Sequence, residues 1–342
     1  MLLAALLAVV VPAVASARIT AHGSAAQAYA TGLGSGQTAT LVNWHGTAVQ
    51  HRRADAQGGV LFRNLTLGRY RIREGRRRSA AVTDFSTAPR PLSARTYAQR
   101  IPSSGYGYMT MRDGTRLAVD VHLPGGRGPY PTLVEYAGYG YADPKGPDSG
   151  IAAVANLLGF AVVDVNMRGT GCSGGAYDYF EPLQSLDGYD IIETVARQPW
   201  VLHHRPGMMG ISYGGISQMF VGATDPPHLA AIAPLTVIDN TDTTLYAGGI
   251  LNTGFALNWG EERVHDALPA SAAGGQPWAL ARIQAGDAVC RANQALHDEA
   301  ANLIAKLRAN AHYVPAAADP LAPVTFVHKI RVPTFAACQW TD

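Results

Sequence analysis

The stretch from Pro206 to Thr224, PGMMGISYGGISQMFVGAT, constrains the fold more tightly than any other part of the chain. Gly207 to Ile211 reads as a short buried strand. Ser212 stands at a turn between Gly210 and Gly214. Gly215 to Ala223 then runs on as a helix, with Ile216, Met219, Phe220 and Ala223 at helical spacing. So abrupt a strand-to-helix turn pushes its serine hydroxyl out above the sheet edge, and the flanking glycines suit elements packed too closely to admit a Cβ. The helix start also turns its unbonded N–H groups towards the serine. A second G-x-S-x-G, Gly171 to Gly175, lacks this context. The strand before it (Phe160 to Val165) ends too early, and Gly175-Ala176-Tyr177-Asp178 does not open a helix. Ser173 is therefore expected in a loop, and Ser212 as the nucleophile.

The same reading extends along the chain. Pro131 to Tyr136 and Phe160 to Val165 are near-continuous apolar runs, as in strands buried on both faces, with a helix at Ile151 to Leu158 between them. Leu183 to Arg197 is a second helix, with Leu186, Tyr189, Ile192 and Val195 on one face. Leu229 to Leu235 is the strand after the Ser212 helix. Upstream, Asp113-Gly114 between Tyr108–Met111 and Leu117–Leu123 predicts a hairpin. The alternation predicts an α/β fold with a mostly parallel sheet, the α/β-hydrolase architecture. Core is expected over 101–236 and 325–342. Over 237–324 the β–α alternation stops, and a helical cap is expected there, with Asp298 to Asn310 its clearest helix. A last strand is expected at Ile330 to Cys338, with Pro333 inside it.

Before the core, short alternating runs between Ala39 and Thr83 predict a small antiparallel β-sandwich, followed by a proline-bearing linker, over 18–100. ADAQGGVLFRNLTLGRYRIRE resembles the transthyretin-like repeat of carboxypeptidase accessory domains. Residues 18 to about 40, rich in Ala, Gly, Ser and Thr, read as flexible, and Arg76-Arg77-Arg78 as a solvated turn. Met1 to Ala17 has the apolar core and Ala-Ser-Ala cleavage site of a signal peptide, so a secreted or envelope-associated protein is expected. No other stretch reaches membrane-spanning length.

The chain has 342 residues, enough for two or more structural units, and 47% apolar against 15% charged residues excludes a disordered chain. A net charge of +2 is too small to imply a nucleic-acid partner, and the near absence of lysine fits a G+C-rich coding sequence better than phosphate binding. Three cysteines, Cys172, Cys290 and Cys338, allow one bridge. Cys290 to Cys338 is one pairing, and the sequence does not fix it. Nothing in the His and Cys spacing points to a metal, and no cofactor is expected.

From about Tyr106 onward the chain resembles the cocaine esterase and X-prolyl dipeptidyl-peptidase family of serine hydrolases. The resemblance rests on MRDGTRLAVDVHLP, DVNMRGTGCSGG with LDGYD, QPW with GMMGISYGG, and VPTFAACQWTD, in that order. It implies an acyl-enzyme on Ser212 and an acid after the last strand, at Asp342. Asp239, with Asp242 behind it, is the rival for that acid. Of the two oxyanion donors, the backbone N–H of Tyr213 follows from the turn itself. The other, by the resemblance, is a tyrosine hydroxyl in Glu135-Tyr136-Ala137-Gly138-Tyr139, placed at Tyr139 with Tyr136 and Tyr141 as alternatives. Arg168, Asp187 and Asp190 are expected in buried salt bridges.

The base is the difficulty. In this fold the histidine follows the acid, and none follows Asp342 in this sequence. The expectation is thus a truncated hydrolase, whose histidine and C-terminal β-domain lie further on, so that the chain as given is expected to be inactive. Two readings stay open: a secreted serine hydrolase cleaving a small-molecule ester or a peptide, and an inactive or binding protein that keeps the fold. A dipeptidyl-peptidase would need carboxylates for a free amino group, for which Glu261-Glu262 could serve. Oligomeric state is not readable.

Overall fold

A computed structural model describes residues 18–145, 150–240, 244–310 and 312–337. The expected signal peptide at Met1–Ala17, and Asp242, Cys338 and Asp342, lie outside them.

The buried apolar runs form one six-stranded sheet. Its strands are β9 (Gly105–Thr110), β10 (Arg116–His122), β11 (Thr132–Ala137), β12 (Ala161–Asn166), β13 (Gly207–Ile211) and β14 (Ile232–Leu235), in the spatial order β14-β13-β11-β12-β10-β9. Four neighbours run parallel, from β14 to β12; β10 is antiparallel to both β12 and β9. The crossover helices are α2 (Gly150–Leu157), α3 (Pro182–Val195) and α4 (Tyr213–Gly222), numbered after the single turn α1 (Ala94–Tyr97). α3 and α4 cover the face that carries Val134 and Tyr136, while α2 covers the opposite face around Leu133 and Val162. This is the α/β-hydrolase-like core that the strand–helix alternation predicts.

The expected last strand shrinks. Thr334 and Ala337 each bridge β14 in parallel, but Pro333 can only accept, taking the Ile232 N–H, and Phe335 is exposed. The cap holds helices Phe255–Asp266, Pro277–Gln284, Ala288–Asn293 and Leu303–Ala309. The helix expected from Asp298 begins only at Leu303, because the Asn302 side chain caps it by accepting the Ala305 N–H at 2.8 Å.

The N-terminal residues form two antiparallel sheets around one apolar cluster that includes Ala28, Ala30, Leu41, Phe62 and Ile72. One sheet holds β1 (Thr20–Ser24), β2 (Gln27–Thr31) and β5 (Val60–Phe62). The other holds β3 (Thr38–Asn43), β4 (Ala48–Arg53), β6 (Arg69–Glu74), β7 (Arg77–Arg78) and β8 (Val82–Thr83). β1 and β2 correct the expectation of a flexible stretch over 18–40. Their inward residues are mostly alanines, too small to register as a hydrophobic alternation, yet Ala28 and Ala30 are fully buried because the sheets approach closely. A Cβ on Gly23 would lie 2.0 Å from the Thr83 carbonyl oxygen. The triple arginine is also only partly a solvated turn, since Arg77 pairs with Glu74 and the Gly32 carbonyl.

Buried ion pairs brace the core as expected. Arg168 grips Asp187 through Nε and Nη2 at 2.6 and 2.7 Å and reaches Asp113 at 3.2 Å; Arg112 holds Asp190 at 2.7 and 3.0 Å. Burial alone would raise the Asp113 carboxyl, but Arg168, with Ser24 and Thr115, holds it below its ordinary value. Ser24 lies on β1, and its hydroxyl donates to Asp113 at 2.7 Å, so the same carboxylate joins the N-terminal sheets to the core. The disulfide joins Cys172 to Cys290, Cα atoms 4.6 Å apart, and so replaces the pairing of Cys290 with Cys338. It ties the loop after β12 to the cap, a contact across 118 residues that spacing alone does not reveal.

Candidate active site

β13 ends and α4 begins on either side of Ser212, whose φ of 55° and ψ of −121° are sparsely populated for a residue with a side chain. Three glycines make the turn possible. A Cβ on Gly210 would meet the Gly214 backbone at 2.8 Å, one on Gly214 the Tyr141 hydroxyl at 2.8 Å, and one on Gly215 the Leu235 carbonyl at 2.4 Å. The Ser212 N–H donates to that same Leu235 carbonyl at 3.0 Å, which fixes the turn against the end of β14.

The loop after β11 brings the Tyr139 hydroxyl to 3.3 Å from the Ser212 Oγ. Trp259, on the cap helix Phe255–Asp266, donates its indole N–H to the same phenol oxygen at 3.2 Å. With one lone pair so engaged, the phenol keeps its own proton for a neighbour on the Ser212 side. Arg263, one turn along the helix, lies over the Tyr139 ring at 4.8 Å and is anchored to Asp266 at 2.8 Å. The other two tyrosines stand elsewhere. Tyr136 donates to the Gln184 carbonyl on α3, and Tyr141 packs edge-on against Tyr139, over Gly214.

Tyr213 is the first residue of α4, so its N–H has no partner within the helix and points into the turn. Its ring is buried edge-on against Tyr139, Phe180 and Trp259, with centroids 5.6, 5.0 and 5.5 Å away. Burial raises its phenol well above the ordinary value, so the side chain stays neutral.

In front of Ser212 lies a cavity of about 480 Å³, walled by Phe180, Ile216, Ile238, Leu245, Phe255 and Trp259. A second cavity of about 450 Å³ shares the Tyr179–Phe180 wall and carries the Lys306–Asp178 pair and the half-buried Glu181, whose carboxyl is pushed up to about 7 by desolvation. The cap residues of this wall, Trp259 and Phe255 above all, are absent from the sequence reading. Only the aromatic spacing of NTGFALNWG hinted at them, and nothing in it says where the helix docks.

Other expected residues are not brought to this point. Asp239 is exposed, with its carbonyl accepting from Val324, and Glu261 and Glu262 are exposed on the outer side of the cap helix. Among the described residues no histidine lines the Ser212 cavity. His228 pairs with Glu193, His204 with the Ala196 carbonyl, His51 with Thr40, and His297 lies buried between the Ser173 and Leu268 carbonyls. Ser173 itself is fully buried. Its hydroxyl donates to the Asn166 carbonyl and accepts the Ala118 N–H, both at 2.8 Å.

A family model of X-Pro dipeptidyl-peptidases (S15 family) matches residues 113–342. A putative serine esterase of Mycobacterium bovis is 31% identical over 187 residues, covering 48% of this chain and 29% of that protein. The cocaine esterase of Rhodococcus sp. is 31% identical over 153 residues, covering 44% and 26%. The chain thus spans less than a third of the curated relatives it matches. Among solved structures, a CocE/NonD family hydrolase from Staphylococcus aureus superposes with a TM-score of 0.52 at 21% identity, over 67% of this chain and 39% of that one. An α-amino acid ester hydrolase gives 0.50 at 20%, over 72% and 43%. At such identities the structural likeness concerns the fold.

Proposed function

This chain belongs to the X-Pro dipeptidyl-peptidase (S15) family, and from that premise we propose that it carries the nucleophile and oxyanion site of an exported serine hydrolase acting on an ester or amide with an apolar acyl group. The observation that carries the reading is Ser212 itself, held at a positive φ with the Tyr139 hydroxyl 3.3 Å from its Oγ. The Oγ attacks the substrate carbonyl carbon as a base takes its proton, and the carbonyl π electrons move onto oxygen. Tyr213 N–H and Tyr139 O–H donate to that oxyanion. Its collapse expels the alcohol or amine, which takes up the proton, and water then cleaves the acyl-enzyme by the same steps in reverse. Asp342 is proposed as the acid that orients the base. The aromatic and aliphatic cavity wall supports an apolar acyl group next to the attacked carbonyl.

A second reading, a chain that keeps the fold without turnover, is favoured by one observation: the described residues put no histidine at Ser212. p-Nitrophenyl acetate hydrolysis separates the two. Turnover at enzymatic rates, lost on Ser212→Ala, supports the first. Background rates both from this folded chain and from one extended past Asp342 support the second. We also propose that the N-terminal sheets are a transthyretin-like unit and that Met1–Ala17 directs export.

A further inference from the structure

The net charge of +2 conceals a strong division. Residues 18–100 hold thirteen arginines, no lysine and three acids, a net of +10, so with +2 for the whole chain and no charge in 1–17, residues 101–342 carry −8. Each of the three acids is engaged in structure. Asp55 accepts the Gln57 and Gly59 N–H groups, Glu74 takes Arg77 and the Gly34 N–H, and Asp84 takes the Gly68 N–H.

The pleat concentrates the arginines on one face. In β6, Tyr70 and Ile72 point into the apolar cluster, which turns Arg69, Arg71 and Arg73 outward. Cross-strand register extends the row. Arg73 stands opposite Arg78 of β7, Thr40 of β3 lies between Arg73 and His51 of β4, and Thr38 pairs with Arg53. Arg76 adds a further charge in the turn between β6 and β7. Among the described residues no carboxylate pairs with Arg71, Arg73, Arg76 or Arg78. Arg73 and Arg78 directly opposite one another disfavour the sheet unless an anion joins them. The arginines of the same unit that point the other way do find partners: Arg52 reaches Glu299 in the cap at 3.1 Å, and Arg63 the Glu299 carbonyl.

The face is also concave. Arg71, Arg73, Arg76 and Arg78 line a hollow of about 660 Å³ together with Asn43 and Trp44. Trp44 is 57% exposed, and Arg69 stacks on its ring at 4.2 Å. This sheet faces away from the core, which β1, β2 and β5 contact through Ser24, Gln27 and Leu61.

We propose that this outer face binds an anionic polysaccharide, with sulfate, phosphate or carboxylate groups on the guanidinium forks and a sugar ring on the Trp44 indole. Charge complementarity selects an anion, and arginine's planar fork suits oxyanions two oxygens at a time. A hollow with one indole at its rim fits a sugar chain better than a flat lipid surface does. The hollow shares no lining residue with the Ser212 cavity, which makes the face an anchoring site, independent of the proposed reaction.

The test uses the whole chain and dextran sulfate as the probe, against neutral dextran, polyphosphate and phosphatidylglycerol vesicles. Binding to dextran sulfate and not to dextran is expected, weakening about ten-fold or more as salt is raised from low to several hundred millimolar. Arg71→Ser/Arg73→Ser/Arg78→Ser should weaken it at least about ten-fold. Arg90→Ser/Arg95→Ser/Arg100→Ser, the same change in net charge at exposed positions elsewhere, should leave it within about two-fold. Trp44→Ala should weaken dextran sulfate and leave polyphosphate unaffected, and it serves as the second variant should the triple change disturb folding. No binding, equal losses in the two triple variants, vesicles bound in preference, or polyphosphate bound as tightly with Trp44→Ala inert on both would each overturn the proposal.

Discussion

Gly171–Gly175 and Gly210–Gly214 share the G-x-S-x-G pattern, and the fold treats them in opposite ways. Ser173 is sealed in. Its hydroxyl joins two backbone groups, its carbonyl takes the His297 ring, and Cys172 beside it is bonded to Cys290 of the cap. Asn293 and Gln294 add bonds to the Cys172 and Gly171 carbonyls, so this loop is where the cap is fastened to the core. Ser212 opens onto a cavity at a backbone conformation that few residues adopt. The pattern is common to both because both turns need glycine; what differs is the strand ending and helix beginning at Ser212. A motif of this length reports backbone crowding, and chemistry enters only with the element that follows it.

The comparison can be sharpened by removing each serine in turn. Ser212→Ala should eliminate ester turnover, by about a million-fold where the base is in place, while the melting temperature stays near that of the parent. Steady-state kinetics and a thermal melt read the two halves of that statement. Next in size, Tyr139→Phe keeps the ring packing beneath Arg263 but removes the donor. Turnover should fall about 100- to 1,000-fold with little change in KM. An unchanged turnover number would leave Tyr139 as a packing residue only.

Ser173→Ala should do the reverse of Ser212→Ala. It strands the buried Ala118 N–H and Asn166 carbonyl, a cost of about 1–3 kcal/mol in denaturant melts, with reactivity at Ser212 intact. The smallest effect concerns His297. Burial lowers its pKa, so the folded ring resists a proton that the unfolded chain accepts. Stability should therefore fall as pH drops below about 6.5, by no more than about 1.4 kcal/mol per pH unit from this one group. His297→Gln should flatten that slope; an unchanged slope assigns the effect to other groups.

Much of this was legible in the residues. The strands of the core, α3 and the Ser212 turn declare themselves because β-branched runs, helical spacing and obligatory glycines are local signals. Tyr139 came from resemblance to a family loop, and the structure sets it at the serine. β1 and β2 were hidden because alanine carries too little hydropathy to mark a period, although close sheet packing favours it. Cys172 with Cys290, and Trp259 with Tyr139, are meetings of core and cap across more than a hundred residues, which only the docked helices define. The charge on the outer sheet was hidden differently: summing over the chain cancelled it.

The central claim, that Ser212 and not Ser173 is the reactive serine, is tested most directly by locating a fluorophosphonate adduct by mass spectrometry in the folded chain extended far enough past Asp342 to supply the base. The account predicts the adduct on the peptide containing Ser212, abolished by Ser212→Ala and retained in Ser173→Ala. An adduct on the Ser173 peptide with Ser212 unmodified, or equal labelling of the parent and Ser212→Ala, would contradict it.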